Sequence, residues 1–190
     1  MQFEERASQR LDEFEELVAN AGATVETRLV FTHEGQTTID RMIDEYDCLA
    51  ALIPNASSPP DNVLVAIRGT VGVDRIVQVV SGLFANTCVA VTLLHVAGTD
   101  ETTEDVKPLL DGIATRLSEE GIDNEAIDSR VTRHSSPLDA IVSLADEFDA
   151  VVMGESDPTL VTFVFGMPTR QVADRFLGPV VVVQREKPAR

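Results

Sequence analysis

The sequence predicts an α/β fold in which a parallel sheet is covered on both faces by helices. Three observations carry this expectation. The runs "VLVAI" (63–67), "CVAVTLLHV" (88–96), "AVVM" (150–153) and "PVVVVQ" (179–184) are apolar almost throughout rather than at alternate positions, as strands buried on both faces must be. Between them lie stretches whose apolar residues recur at helical spacing, so strands and helices alternate. A chain of 190 residues with 44% hydrophobic side chains also has the material for a real core.

The elements follow in order. Phe3, Ala7, Leu11, Phe14, Leu17 and Val18 share one helical face, so residues 2–20 read as an amphipathic helix. A strand is expected near 25–31, a helix near 37–45 and a strand near 48–53. "PNASSPPDN" (54–62) is a linker by composition. After strand 63–67 comes a helix carrying Ile76, Val79, Val80 and Leu83, and after strand 88–96 one carrying Val106, Leu109, Leu110, Ile113 and Leu117. A strand near 126–133 precedes Ser136-Pro137, a cap residue followed by proline at the first helical position. Strand 150–153, a loop, a helix from Thr169 and strand 179–184 complete the chain. The domain reading is a partial unit over 1–54, a linker over 55–62, a complete domain over 63–184 and a polar tail over 185–190.

Charge narrows the functions. Thirty-two acidic against 15 basic residues give a net charge of −17, and only Lys107 and Lys187 are lysines. An acidic, lysine-poor surface suits solvation at high salt and points to a halophilic source. Its field repels phosphate backbones, and no basic stripe interrupts it, so nucleic-acid binding is disfavoured. Cys48 and Cys88 lie in apolar segments and read as buried thiols of a cytoplasmic protein rather than a disulfide. The uncharged stretch 76–99 is long enough for a membrane span, but Gly82 to Thr87 breaks it, and a helix end followed by a strand accounts for it better. No segment reads as a membrane helix or a signal peptide.

Residues 25–49 lie without a gap on residues 127–151. Arg28/Arg130, Ile39/Ile141, Asp44/Asp146, Glu45/Glu147 and Asp47/Asp149 are identical pairs, and Tyr46/Phe148, Leu29/Val131 and Met42/Leu144 are conservative ones. The pattern reads as a duplication. The first fifty residues then look like the back half of a second domain that lacks its first strand, first helix and second strand.

In order and spacing, "VLVAIRGT", "VTLLHV" and "FDAVVMGE" followed by "FGMPTRQVADRFLGPVVVVQ" resemble the universal stress protein family, in its haloarchaeal type. The resemblance covers 63–184 fully and 2–54 as a partial repeat. It implies an open five-stranded parallel sheet in order 3-2-1-4-5, with helices on both faces and ligands at the carboxyl ends of strands 1 and 4, where open α/β sheets generally bind. Nucleotide-binding members carry G-x2-G-x9-G-[ST] after the fourth strand and an aspartate after the first. Glycines let N–H groups close on phosphates, the hydroxyl adds a donor, and the acid accepts from the nucleoside.

Here Gly154 fits the first glycine, Asp157 replaces the second, Gly166 arrives one residue early and Met167 takes the hydroxyl position, with Thr169 two residues later. Arg68 takes the aspartate position. The candidate site implied is Ala66, Ile67, Arg68, Val96, Met153, Gly154, Asp157, Gly166 and Thr169. Two of the departures reverse the chemistry: an acid beside phosphate, and a base where an acid should hold the sugar. Arg68 either pairs with Asp157 across the mouth or reaches a phosphate with help from Arg170.

His95 reads as structural, and His134 with Ser135 and Ser136 reads as an ordinary helix entry rather than a triad. Neither a catalytic constellation nor a metal set is visible. The expectation is a non-enzymatic cytoplasmic regulatory protein with weak or absent ATP/AMP binding. It is expected to be a homodimer with residues 180–184 near the interface, since an apolar last strand would otherwise expose its edge. The alternatives are the regulatory domain of a membrane transporter, or a true ATP/AMP binder.

Overall fold

The computed structural model describes residues 2–53, 58–70, 72–98, 100–154 and 178–185. They divide into two units, residues 1–38 and 39–190.

The first unit holds α1 (Gln2–Asn20), an extended segment and the start of α2 (Gly35–Glu45). The Thr27 hydroxyl donates to Glu15 Oε2 at 2.9 Å and so ties the extended segment back to α1. The strand expected near 25–31 does not form: residues 23–32 carry no strand assignment, and Leu29, Val30 and Phe31 are exposed. Its sequence favours a strand, but a strand exists only as half of a ladder. On α1, Phe14 and Leu17 are exposed.

The second unit is built on a six-stranded sheet of β1 (Ala50–Ile53), β2 (Asn62–Ile67), β3 (Ala90–Ala97), β4 (Ile127–Arg133), β5 (Ala150–Gly154) and β6 (Val180–Val183). The spatial order is β1-β6-β5-β2-β3-β4. Its last five strands are all parallel and run in the expected order, with β2 in the place of the first strand. The five-stranded expectation is nonetheless inexact. A sixth strand, β1, pairs antiparallel with β6, Ala50 opposite Val183 and Ile53 opposite Val180, so the sheet is mixed. Strand 48–53 thus closes the edge that β6 was expected to expose.

Three more helices, α3 (Val73–Phe84), α4 (Thr103–Glu119) and α5 (Pro137–Ala145), cross between strands. Because side chains alternate across a sheet, odd and even positions of β2 feed different cores. Val63, Val65 and Ile67 join Ile76, Val80, Leu110, Ile113 and Leu117 beneath α3 and α4. Leu64 and Ala66 join Leu94, Ile141, Ala145, Val151 and Met153 beneath α5. Helices therefore cover both faces. The α5 entry is as expected, with the Ser136 side chain accepting from Asp139 N and proline at the first turn. Thr102 and Asp105 form a reciprocal capping box at α4.

Candidate functional site

β2 lies where the strand order reverses, with β3 on one side and β5 on the other. The crevice outside the carboxyl ends of such strands is where an α/β sheet receives ligands. Ala66 sits opposite Leu94 on β3 and Met153 on β5, and both Ala66 and Met153 are buried. Val96 packs against the same cluster. Three sequence-predicted residues, Ala66, Val96 and Met153, therefore share one apolar floor on the α5 face.

Ile67 does not join them: the pleat turns it into the core beneath α3 and α4. Gly154 is half-buried, opposite Val183. Arg68 follows β2 and is exposed at the strand's carboxyl end. Asp157, Gly166 and Thr169, together with Met167, Arg170 and the helix expected from Thr169, lie outside the described residues, and so does any approach of Arg68 to Asp157.

Sequence reasoning missed the turn that follows Arg68. Gly69 has φ +65° and Gly72 φ +78°, left-handed values that a side chain would resist. Gly72 then serves as the N-cap of α3 without any side-chain hydrogen bond, and Ile76 N donates to Gly72 O as the helix closes. The spacing "RGTVG" just after an apolar strand was the available signal. Together with Arg68, this helix start places positive potential at the carboxyl end of β2.

His95, expected to be structural, is buried opposite Ile67 and Val131. Its Nε2 lies 3.2 Å from Glu101 Oε2, whereas Nδ1 is buried with no partner. A hydrogen on Nε2 lets the ring donate to Glu101, whereas a hydrogen on Nδ1 would be buried without an acceptor. Glu101 Oε2 also accepts from Gly98 N at 2.9 Å, and Arg133 Nη2 donates to Glu101 O at 2.7 Å. The Gly98 N–H first, then His95, holds the Glu101 carboxyl below its ordinary range. This cluster braces the turn between β3 and α4. At the entry of α5, His134 Nδ1 accepts from Ser136 N at 3.1 Å, and the Ser136 hydroxyl serves the cap, so the two side chains form no nucleophile–base pair. Among the described residues, no three His, Cys, Asp or Glu side chains gather as metal ligands, and no helix is long and apolar enough to cross a membrane.

No protein-family model matches the chain, and no curated protein matches it. Solved structures do. The hypothetical protein MJ0577 is 20% identical over 67% of this chain and 98% of its own, with a TM-score of 0.51. A universal stress protein in complex with cAMP is 23% identical over 68% of this chain and 100% of its own, with a TM-score of 0.47. A universal stress protein from Archaeoglobus fulgidus in complex with dAMP is 21% identical over 64% of this chain and 96% of its own, with a TM-score of 0.42. At these identities the likeness is one of fold alone.

Proposed function

We propose that the chain is a non-catalytic, cytoplasmic universal stress protein of haloarchaeal type that works as a homodimer and binds ATP or AMP weakly or not at all. In this reading residues 63–184 are the complete domain, and the first fifty residues are a partial duplicate of it. One observation carries the reading of the site. The exposed residue that closes β2 at the switch point is Arg68, where nucleotide-binding members of the family carry an acid for the nucleoside. Ala66, Val96 and Met153 supply an apolar floor beside the strand end, but the polar residue that follows β2 has the opposite charge to the family's acid. Asp157, an acid where the family's phosphate loop has its second glycine, works against the same ligand.

Calorimetric titration of the full chain with ATP and with AMP tests this. The expected outcome is no saturable heat at micromolar nucleotide, and no rescue by Asp157→Gly alone, because Arg68 remains. A dissociation constant in the low micromolar range, equivalent to about −8 kcal/mol, would overturn the reading and make Arg68 a phosphate or base contact. The homodimer needs a surface other than the outer edge of β6, which β1 occupies. Val182 is 1% exposed and belongs to the core.

A further inference from the structure

Among the described residues the sheet has two outer strands, β4 at one end and β1 at the other, and they are defended very differently. β4 carries Asp128, Arg130 and Arg133, and Arg130 is held by Asp128 at 3.6 Å and by Glu147 at 3.0 Å. Charges of this kind are how edge strands avoid pairing with other chains. β1 reads Ala-Ala-Leu-Ile, with no charge and no proline, and its Leu52 side chain is 61% exposed.

The ladder fixes which atoms of β1 face outward. Gln184 N donates to Leu49 O, so Leu49 and Gln184 are a hydrogen-bonded pair. In an antiparallel ladder such pairs alternate, which aims Leu49, Ala51 and Ile53 at β6. The N–H and C=O groups of Ala50 and Leu52 therefore point away from β6. From this geometry we infer that β1 is a self-pairing edge: two copies of the chain join β1 to β1 antiparallel across a two-fold axis at Ala51, which makes one continuous twelve-stranded sheet from two six-stranded ones.

The choice of a second copy as occupant follows from the sequence of the strand. With the axis at Ala51, Ala50 of each copy exchanges both its hydrogen bonds with Leu52 of the other. The pair on the axis is then Ala51 with Ala51, of the closer, non-hydrogen-bonded kind, about 4.5 Å between Cα atoms, where a methyl group fits easily. Ala50 packs toward the core under α3 and α4, and Leu52 lies on that same face by alternation. Each exposed Leu52 thus lies over the small Ala50 of its partner, large on small, twice. Charge favours the same arrangement: a chain of −17 meets its copy with least repulsion along an uncharged strand. A four-residue strand makes a small interface, so association is expected in the micromolar range. The inference rests on the sheet edge alone and is independent of nucleotide binding.

Cross-linking and sedimentation test it on the full chain. In a Cys48→Ser, Cys88→Ser background, Ala51→Cys is expected to form a disulfide-linked dimer under mild oxidation, since about 4.5 Å is within the span a disulfide bridges. Leu52→Cys, offset from its own copy by two positions along the ladder, is expected to cross-link far less. Leu52→Lys is expected to weaken dimerisation at least about tenfold in sedimentation velocity, with the monomer's melting curve as the check on folding. Equal cross-linking at 51 and 52, or none at 51, overturns the inference. So does a dimer indifferent to Leu52→Lys, which would keep the homodimer and move its contact elsewhere. A chain that is monomeric up to hundreds of micromolar overturns both the edge and the homodimer, whatever the calorimetry with nucleotide shows.

Discussion

Asp149 precedes β5, and its Oδ2 accepts from the backbone N–H groups of both Asp61 and Asn62 at 2.9 Å. It clips the start of β2 to the start of β5 at the amino end of the sheet. The Asn62 N–H first, then that of Asp61, keeps its carboxyl below the ordinary carboxylate range. Glu101 is lowered by Gly98 and His95, and Asp105 by the Thr102 hydroxyl and then its backbone N–H. All three shifts have one sign. A carboxylate whose folded pKa is depressed contributes stability that is present above its unfolded pKa and is lost as pH falls through the folded one. Thermal melts over about pH 5 to 2 should therefore show a steady acid loss. Asp149→Asn keeps an acceptor but not the charge, so it should flatten that acid limb, whereas Asp149→Ala should lower the melting temperature at neutral pH as well. An unchanged pH profile in the asparagine variant would show that the clip contributes nothing through its charge. At this scale the sequence located Arg68 correctly at the end of β2. It could not show the left-handed turn at Gly69 and Gly72, because a glycine in a sequence permits positive φ without requiring it.

Among the elements, those buried on both sides were legible and those dependent on a neighbour were not. The stripe Val106, Leu110, Ile113 and Leu117 was readable on α4, and all four are 4% exposed or less. Ile113→Ala should cost about 2–5 kcal/mol in denaturant unfolding, from lost burial plus the cavity left behind. Arg116, on the same helix, pairs with Asp74 of α3 at 2.6 Å, but both side chains are well exposed, 43% and 82%. Arg116→Ala should therefore cost less than about 1 kcal/mol. A larger loss at Arg116 than at Ile113 would mean that the ion pair, not the packing, holds α4 to α3. Residues 25–31 show the opposite case, and for 50–53 the strand was readable but its partner and direction were not. Both carry strand-forming side chains, but periodicity reports where a side chain would go, not whether a neighbouring strand exists to receive the backbone. β6 offered a free edge to Ala50–Ile53, while 25–31 forms no ladder, and nothing in either sequence marks the difference. Direction was equally hidden: an apolar run of four looks the same parallel or antiparallel.

For the whole molecule the largest single quantity is the charge. Thirty-two carboxylates face 15 basic groups, and exposed ion pairs such as Lys107 with Asp111 at 3.2 Å are worth little individually. The surplus opposes compaction, because the folded chain holds like charges closer than the unfolded chain does. Salt relieves this: the screening length falls from about 10 Å at 0.1 M to about 3 Å at 1 M, shorter than most separations between surface carboxylates. The melting temperature should therefore climb steeply with potassium chloride up to about 1 M, where screening is nearly complete. Any further rise above that must come from exclusion of salt from the protein surface, and a sulfate salt should exceed chloride there. Self-association should follow the same curve, since each of two joining copies brings a charge of −17. Differential scanning calorimetry and sedimentation over one salt series separate the two effects. If melting temperature is flat from about 0.1 to 1 M while dimerisation strengthens, the charge governs encounter but not folding. If both are flat, the acidic surface is a matter of solubility alone, and a halophilic origin loses its physical support.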